Sequence, residues 1–197
     1  MVKIKKNVNE IIVVYDMDDV LWPLNEHACS LTGIDYGKLC QYSLGDNPLL
    51  TKDEVKKLSQ MYTNVDLWRD LKWERGAKSI HKLQDCGVKV MINSNCLSEE
   101  VASFKRSFVG RDLKLPEPQV VLNVTTNWRK KKMIENTFIF VEDSPHNIEK
   151  SNAKYTIIID KPWNREVELK NNMFRVYSLQ EANRLVKKLI QKEVQCV

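Results

Sequence analysis

The feature that most constrains the fold is an apolar run, residues 11–15, that ends in a cluster of three acids. A run of β-branched and aromatic residues without polar alternation is typical of a strand buried on both faces, as in a parallel sheet. Ligands bind beyond the carboxyl ends of such strands. Because side chains alternate along a strand, Asp16 and Asp18 are expected to point to the same side. The sequence therefore predicts a buried strand that delivers carboxylates to a ligand site.

The length of the chain is sufficient for one buried core with an inserted segment, and its charge limits the classes of ligand. The chain has 197 residues, of which 31 are basic and 26 acidic, and its formal net charge is +5. This mild excess is compatible with an anionic ligand and does not require nucleic acid. No apolar run is long enough to cross a membrane and no signal peptide opens the chain, so we expect a cytoplasmic protein. The five cysteines form no close metal-ligand pair and are expected to be reduced.

After the first strand, the pattern changes to helices and turns. Residues 21–73 contain no strand pattern, and Thr51 with Glu54 forms a capping box that predicts the start of a helix. We therefore expect a helical cap over residues 21–73, inserted into a core made of residues 1–20 and 74–197.

From residue 76 onward, helical and strand patterns alternate. The predicted strands cover residues 88–93, 120–122, 137–141 and 155–159. Such alternation predicts a three-layer, Rossmann-like α/β fold with a parallel sheet.

Polar groups follow three of the predicted strands. They are Asp16 and Asp18, then Ser94 and Asn95, then Glu142 and Asp143. In a parallel sheet these strand ends share one edge, where the carboxylates would repel one another unless a cation lies among them. An all-oxygen site favours Mg²⁺ over zinc. The pattern therefore predicts a magnesium site suited to phosphoryl transfer.

The same groups suggest a reaction. Asp16 would attack phosphorus to form an aspartyl-phosphate, while Asp18 would protonate the leaving oxygen and later take a proton from water. Charge on the phosphoryl oxygens requires hydroxyl and cationic partners. Ser94 supplies a hydroxyl, and one lysine of the basic run at residues 129–132 is expected to reach inward.

Four motifs in this order resemble the haloacid dehalogenase-like phosphatase superfamily. They are Asp16-Met17-Asp18, Ser94, a lysine within residues 130–132, and Glu142-Asp143. The resemblance covers residues 10–160, most of the chain, and implies a parallel α/β fold with a cap and a phosphatase activity.

For the metal, the resemblance implies that Asp16 is both nucleophile and ligand. Asp18 would be the acid/base and would also offer its backbone carbonyl to Mg²⁺. Asp143 would complete the metal shell. Glu142 would act through water, or as an acid next to the ligands that does not contact the metal itself. Two departures stand out, because Asp19 occupies a position where glycine is common and Glu142 one where aspartate is common. We expect Asp19 to turn outward.

For the phosphate, the resemblance implies that Ser94, with Asn95 beside it, binds the substrate. Among the lysines we favour Lys132, because its distance along the chain to Glu142 resembles that in the deoxyribonucleotidases. Lys131 is the second choice.

The substrate follows less directly. Residues 21–73 resemble the cap of the 5′-nucleotidase and 5′(3′)-deoxyribonucleotidase branch, which implies a small phosphorylated substrate such as a mononucleotide. Residues 21–23 are also similar to the small magnesium-dependent phosphatases, which implies sugar or protein phosphates. Trp22 and Trp68 would stack on a nucleobase or form the core of the cap.

Two other functions remain open. The doublet Asp18-Asp19 suggests a receiver-like phospho-binding module, although helices fill the interval where its phospho-acceptor strand would lie. The lysine run suggests a nucleic-acid 3′-end phosphatase. The oligomeric state is not predicted.

Overall fold

A parallel six-stranded sheet forms the centre of the computed structural model, which describes residues 7–64, 66–127, 129 and 131–195. The strand order is β3-β2-β1-β4-β5-β6, and each neighbouring pair is parallel. The strands are Ile12–Tyr15 (β1), Lys89–Cys96 (β2), Val120–Val124 (β3), Ile139–Glu142 (β4), Tyr155–Ile159 (β5) and Met173–Val176 (β6). The predicted Rossmann-like α/β fold is confirmed.

Strand β1 lies in the interior of the sheet, and both of its faces are covered. Val13 and Tyr15 belong to the large hydrophobic core on one face of the sheet, whereas Val14 packs with Met91 and Phe140 on the other. The alternation predicted for a doubly buried strand is therefore present. Since β2 and β4 flank β1, the carboxyl ends of these three strands lie side by side.

Seven α-helices accompany the sheet in the described part of the chain. They are Leu24–Thr32 (α1), Lys52–Thr63 (α2), Asp66–Arg69 (α3), His81–Gln84 (α4), Glu99–Phe108 (α5), Pro145–Lys150 (α6) and Leu179–Gln195 (α7). The predicted capping box opens α2, because Thr51 Oγ1 accepts from the Glu54 amide and the Glu54 carboxylate accepts from the Thr51 amide. No helix within the described ranges is both long and apolar enough to span a bilayer.

Helices α1 to α3 lie between β1 and β2, and the described residues of that interval contain no strand. Their apolar side chains, among them Leu58 and Trp68, belong to the same hydrophobic core as the sheet. This helical segment therefore packs directly on the sheet next to the strand ends.

The largest differences between the structure and the predicted elements lie in three places. The helix predicted after residue 76 is divided into a 3₁₀ turn, Ala77–Ser79, and the short α4. Ser79 Oγ donates to the Gly76 carbonyl there, which competes with regular helical bonding. Strand β2 runs beyond its predicted end and includes Ser94 and Asn95. Strand β6 was not predicted, since it is a four-residue edge strand interrupted by a charged residue.

Candidate active site

Three carboxylates meet where β1 and β4 end. Asp16 follows β1 and continues its pairing, because its amide donates to the Val141 carbonyl at 2.9 Å. Glu142 is the last residue of β4, and Asp143 follows it. One oxygen from each of Asp16, Glu142 and Asp143 lies within 4.8 Å of the others, and all three residues are buried. The structure thus brings together the acids predicted from two distant segments.

Burial and mutual repulsion dominate the electrostatics of this cluster. Burial raises the pKa of Asp16 well above its usual range, the Glu142 charge raises it further, and Lys131 opposes both. The pKa of Asp143 is likewise raised by burial and then by Asp19 and Asp16. Desolvated carboxylates of like charge disfavour ionisation unless a cation is close. The cluster is therefore poised to hold positive charge.

Lys131 supplies part of that charge. Its Nζ lies 2.7 Å from Asp16 Oδ1 and 2.8 Å from Glu142 Oε2. Burial lowers the pKa of Lys131, but the attraction of these two carboxylates outweighs burial and the pKa is raised above its usual value. The ammonium therefore remains charged inside the site.

The preference for Lys132 as the inward lysine is corrected by this geometry. The side chain of Lys132 is exposed. Asn93 Nδ2 of β2 donates to the Lys132 carbonyl at 2.8 Å. This bond holds the loop so that the neighbouring side chain of Lys131 contacts Asp16. Lys130, the remaining member of the motif, lies outside the described residues.

Glu142 holds the site together through four hydrogen bonds. Its Oε1 accepts from the amides of Asp143 and Ser144 at 3.0 and 3.1 Å. Its Oε2 accepts from Lys131 Nζ at 2.8 Å and from Asn147 Nδ2 at 3.0 Å. Since both oxygens already have two donors, Glu142 is suited to orienting Lys131 rather than to direct contact with a metal. Asn147, to which sequence reasoning assigned no function, supports that arrangement.

The residues fit a divalent cation bound by oxygen. When ionised, the carboxylates of Asp16, Glu142 and Asp143 carry two more negative charges than the Lys131 ammonium compensates. Asp143 is held in place because its Oδ2 accepts from Trp163 Nε1 at 2.9 Å. Hard oxygen donors of this kind select Mg²⁺ over softer metals. Asp16 and Asp143 are the side chains that would hold it.

A second buried lysine contacts Asp18, the other acid of the first motif. Lys105 Nζ of α5 lies 2.6 Å from Asp18 Oδ2 and 3.0 Å from Ser94 Oγ. Ser94 Oγ is in turn 3.3 Å from the same Asp18 oxygen. Sequence reasoning missed Lys105, although one signal was available, because it follows Val101 by one helical turn on the buried face of α5.

Two further expectations are wrong. Trp22 is completely buried and packs between Trp73 and Phe108, with ring centroids 4.7 and 5.7 Å away, so it belongs to the core and offers no face to a base. Asp19 does not turn outward. It is buried with a positive φ of 58°, and its carboxylate accepts from the Asn25 amide at 3.0 Å at the start of α1.

A cavity of about 510 Å³ opens at these strand ends. Asp18, Asn95 and Asp143 line it from the sheet, and Tyr62 and Trp68 line it from the helical segment. Small-molecule sites have volumes in this range. Asn95, which was predicted to bind the substrate, lines this cavity, and so does Trp68, the second of the two tryptophans considered for base stacking.

Comparison with solved structures supports the fold. A haloacid dehalogenase-like hydrolase from Streptococcus pneumoniae has a TM-score of 0.56 at 8% identity, covering 90% of this chain and 99% of its own. One from Xanthomonas campestris has a TM-score of 0.54 at 12% identity, covering 93% and 97%. A β-phosphoglucomutase from Clostridium difficile has a TM-score of 0.51 at 13% identity, covering 94% and 98%. No curated protein gives a significant match.

The sequence itself gives the more specific result. Residues 9–193 match the family described as "5′ nucleotidase, deoxy (Pyrimidine), cytosolic type C protein". This match spans nearly the whole described chain, including every strand and the acids at the strand ends. The chain therefore belongs to this 5′-nucleotidase family.

Proposed function

We propose that this protein is a Mg²⁺-dependent phosphomonoester hydrolase that acts on nucleoside monophosphates through an aspartyl-phosphate. The observation that carries the proposal is the buried cluster of Asp16, Asp143 and Lys131 beside a cavity of small-molecule size. Membership of the 5′-nucleotidase family supports the nucleotide as substrate.

In the first step the Asp16 carboxylate forms a bond to phosphorus, and the bond from phosphorus to the ester oxygen breaks. Asp18 gives its proton to that leaving oxygen. Lys131 holds the Asp16 carboxylate at 2.7 Å and places positive charge where the phosphoryl oxygens arrive. Ser94 offers its hydroxyl to one of these oxygens.

In the second step Asp18 takes a proton from a water molecule, whose oxygen attacks phosphorus. The bond between phosphorus and the Asp16 carboxylate breaks, which releases phosphate and restores the enzyme. Bound Mg²⁺ would supply charge neutralisation between the Asp16 and Asp143 carboxylates and the phosphoryl group.

The cavity supports a small substrate. Its aromatic lining, Tyr62 and Trp68, suits a nucleobase, whose flat apolar face packs on aromatic rings. The helical segment that carries these residues covers the strand ends and would exclude water from the reacting groups. We propose this segment, residues 21–73, as the cap.

A substrate panel tests the proposal. The purified protein with Mg²⁺ is given ribo- and deoxyribonucleoside 5′- and 3′-monophosphates, sugar phosphates, p-nitrophenyl phosphate and a 3′-phosphorylated oligonucleotide, and phosphate release is measured. We expect the highest kcat/KM on a nucleoside monophosphate, and no turnover by Asp16→Asn. A higher kcat/KM on the sugar phosphates or the oligonucleotide would refute the nucleotide assignment. The absence of turnover on every compound would refute the proposed phosphatase activity.

A further inference from the structure

Lys105 has no role in the reaction described so far, yet its position is unusual. Its side chain is fully buried on α5, and long charged side chains are almost never buried without a specific partner. It contacts Asp18, the proposed acid/base, and Ser94, the proposed phosphate-binding hydroxyl.

The ammonium of Lys105 has a complete set of acceptors. Nζ donates to Asp18 Oδ2 at 2.6 Å, to Ser94 Oγ at 3.0 Å and to the Asn95 carbonyl at 3.2 Å. An ammonium has three protons, so this set uses all of them. Because all three N–H groups donate to protein oxygens, the ammonium holds these oxygens at fixed positions and has no N–H group left for a substrate.

The two oxygens of Asp18 are made unequal by this contact. Oδ2 lies next to both Lys105 Nζ and Ser94 Oγ, whereas Oδ1 is buried and has no hydrogen-bond partner among the described residues. Lys105 therefore fixes the orientation of the Asp18 carboxylate through Oδ2.

The helical segment also contacts this group. Lys105 Nζ lies 4.5 Å from the centroid of the Trp68 ring, within the range of a cation–π interaction. Trp68 lies on α3 and lines the cavity. The ammonium is thus placed between Asp18 of the sheet edge and an aromatic wall of the substrate cavity.

We propose that Lys105 is a positioning residue for the acid/base Asp18: it fixes the carboxylate through Oδ2, within a set of contacts that also includes Ser94 and the Asn95 carbonyl. This role rests on the proposed phosphatase function and deepens it. Lys105 touches neither phosphorus nor the leaving oxygen, and it acts through Asp18.

Leaving-group dependence tests this role. A poor leaving group, such as the ribose oxygen of a nucleoside monophosphate, needs a proton from Asp18, whereas p-nitrophenolate leaves with little help. We expect Lys105→Met to lower kcat about 100-fold on the nucleotide and about tenfold or less on p-nitrophenyl phosphate, within the range of general acid catalysis. The matched control, Lys132→Met at the exposed lysine, should change neither rate.

Equal losses on both substrates, together with weaker inhibition by inorganic phosphate, would show that Lys105 binds phosphate directly and would overturn the positioning role alone. The absence of wild-type turnover on both substrates would instead overturn the proposed function. If Lys105→Met does not fold, Lys105→Gln, a polar side chain of similar length, serves for the same comparison.

A double-mutant cycle gives a readout that does not need activity. Lys105→Met and Asp18→Asn should be non-additive in the urea midpoint, because each removes the same contact. Additive shifts would show that the two side chains are not coupled and would overturn the proposal.

Discussion

The ion pairs of Lys131 give the most quantitative prediction. Lys131→Met removes two contacts, at 2.7 Å to Asp16 and 2.8 Å to Glu142, and leaves both carboxylates buried. At an effective dielectric constant of about 20, each contact corresponds to about 6 kcal/mol of Coulomb attraction, which desolvation of the ammonium largely offsets. Breaking one side of a buried ion pair costs about 3–5 kcal/mol, and we expect the free energy of unfolding to fall by that amount at neutral pH.

The same substitution removes a fixed cation from the phosphoryl oxygens. Loss of one preorganised donor typically lowers kcat about 10²- to 10³-fold, and we expect a decrease of at least that size. Urea denaturation without Mg²⁺ measures the first effect, and phosphate release measures the second.

Lys132→Met is the matched control, because it removes the same side chain from an exposed neighbouring position. It should change the unfolding free energy by less than about 0.5 kcal/mol and leave kcat unaltered. If Lys132→Met impaired the enzyme and Lys131→Met did not, the geometry of the site and the reasoning from it would be refuted.

Three further predictions concern the metal, pH and the core. Asp143→Asn should weaken Mg²⁺ affinity at least tenfold, measured by calorimetric titration, since it removes a charged ligand; an unchanged titration curve would exclude Asp143 as a ligand. Burial raises the pKa of Asp19 to about 7, and the pKa values of Asp16 and Asp143 are raised as well. The folded state therefore binds more protons than the unfolded chain, so the metal-free protein should lose stability as pH rises from about 5 to 7.5. Carboxyls with a lowered pKa, such as Glu54 and Asp112 at about 2, titrate below that window. Urea midpoints measured across this pH range give the sign of the change in stability. A midpoint that rises with pH would contradict the raised pKa values. Trp22→Ala should lower the free energy of unfolding by about 3–5 kcal/mol, because it deletes a large core side chain. Trp22→Phe should leave KM for nucleotides unchanged. A raised KM would show that Trp22 contacts the substrate.

The parts of the site that sequence reasoning predicted are those that local patterns encode. Strand β1 and the positions of Asp16 and Asp18 follow from an apolar run and the two-residue period of a strand. Parallel pairing then places Glu142 and Asp143 beside them, because neighbouring strand ends share an edge. Each of these steps uses one segment and one general property of parallel sheets.

The parts that were missed depend on tertiary contacts. Residues 131 and 132 lie in a loop with no period, and the bond from Asn93 that selects Lys131 comes from a strand distant in sequence. Lys105 was passed over because a lysine on a helix is normally exposed, and its partners Asp18 and Ser94 come from two other segments. Trp22 was misplaced because its neighbours Trp73 and Phe108 are not adjacent to it in the chain.

The central claim is that Asp16 is phosphorylated during turnover of a nucleotide. Borohydride reduces an acyl phosphate, so quenching the enzyme with borohydride during turnover converts a phosphorylated aspartate to homoserine. Peptide mass spectrometry then locates the modified residue. We predict homoserine at position 16 only when both Mg²⁺ and a nucleoside monophosphate are present. Continuous phosphate release with Asp16 unmodified, or with the label on another residue, would contradict the account.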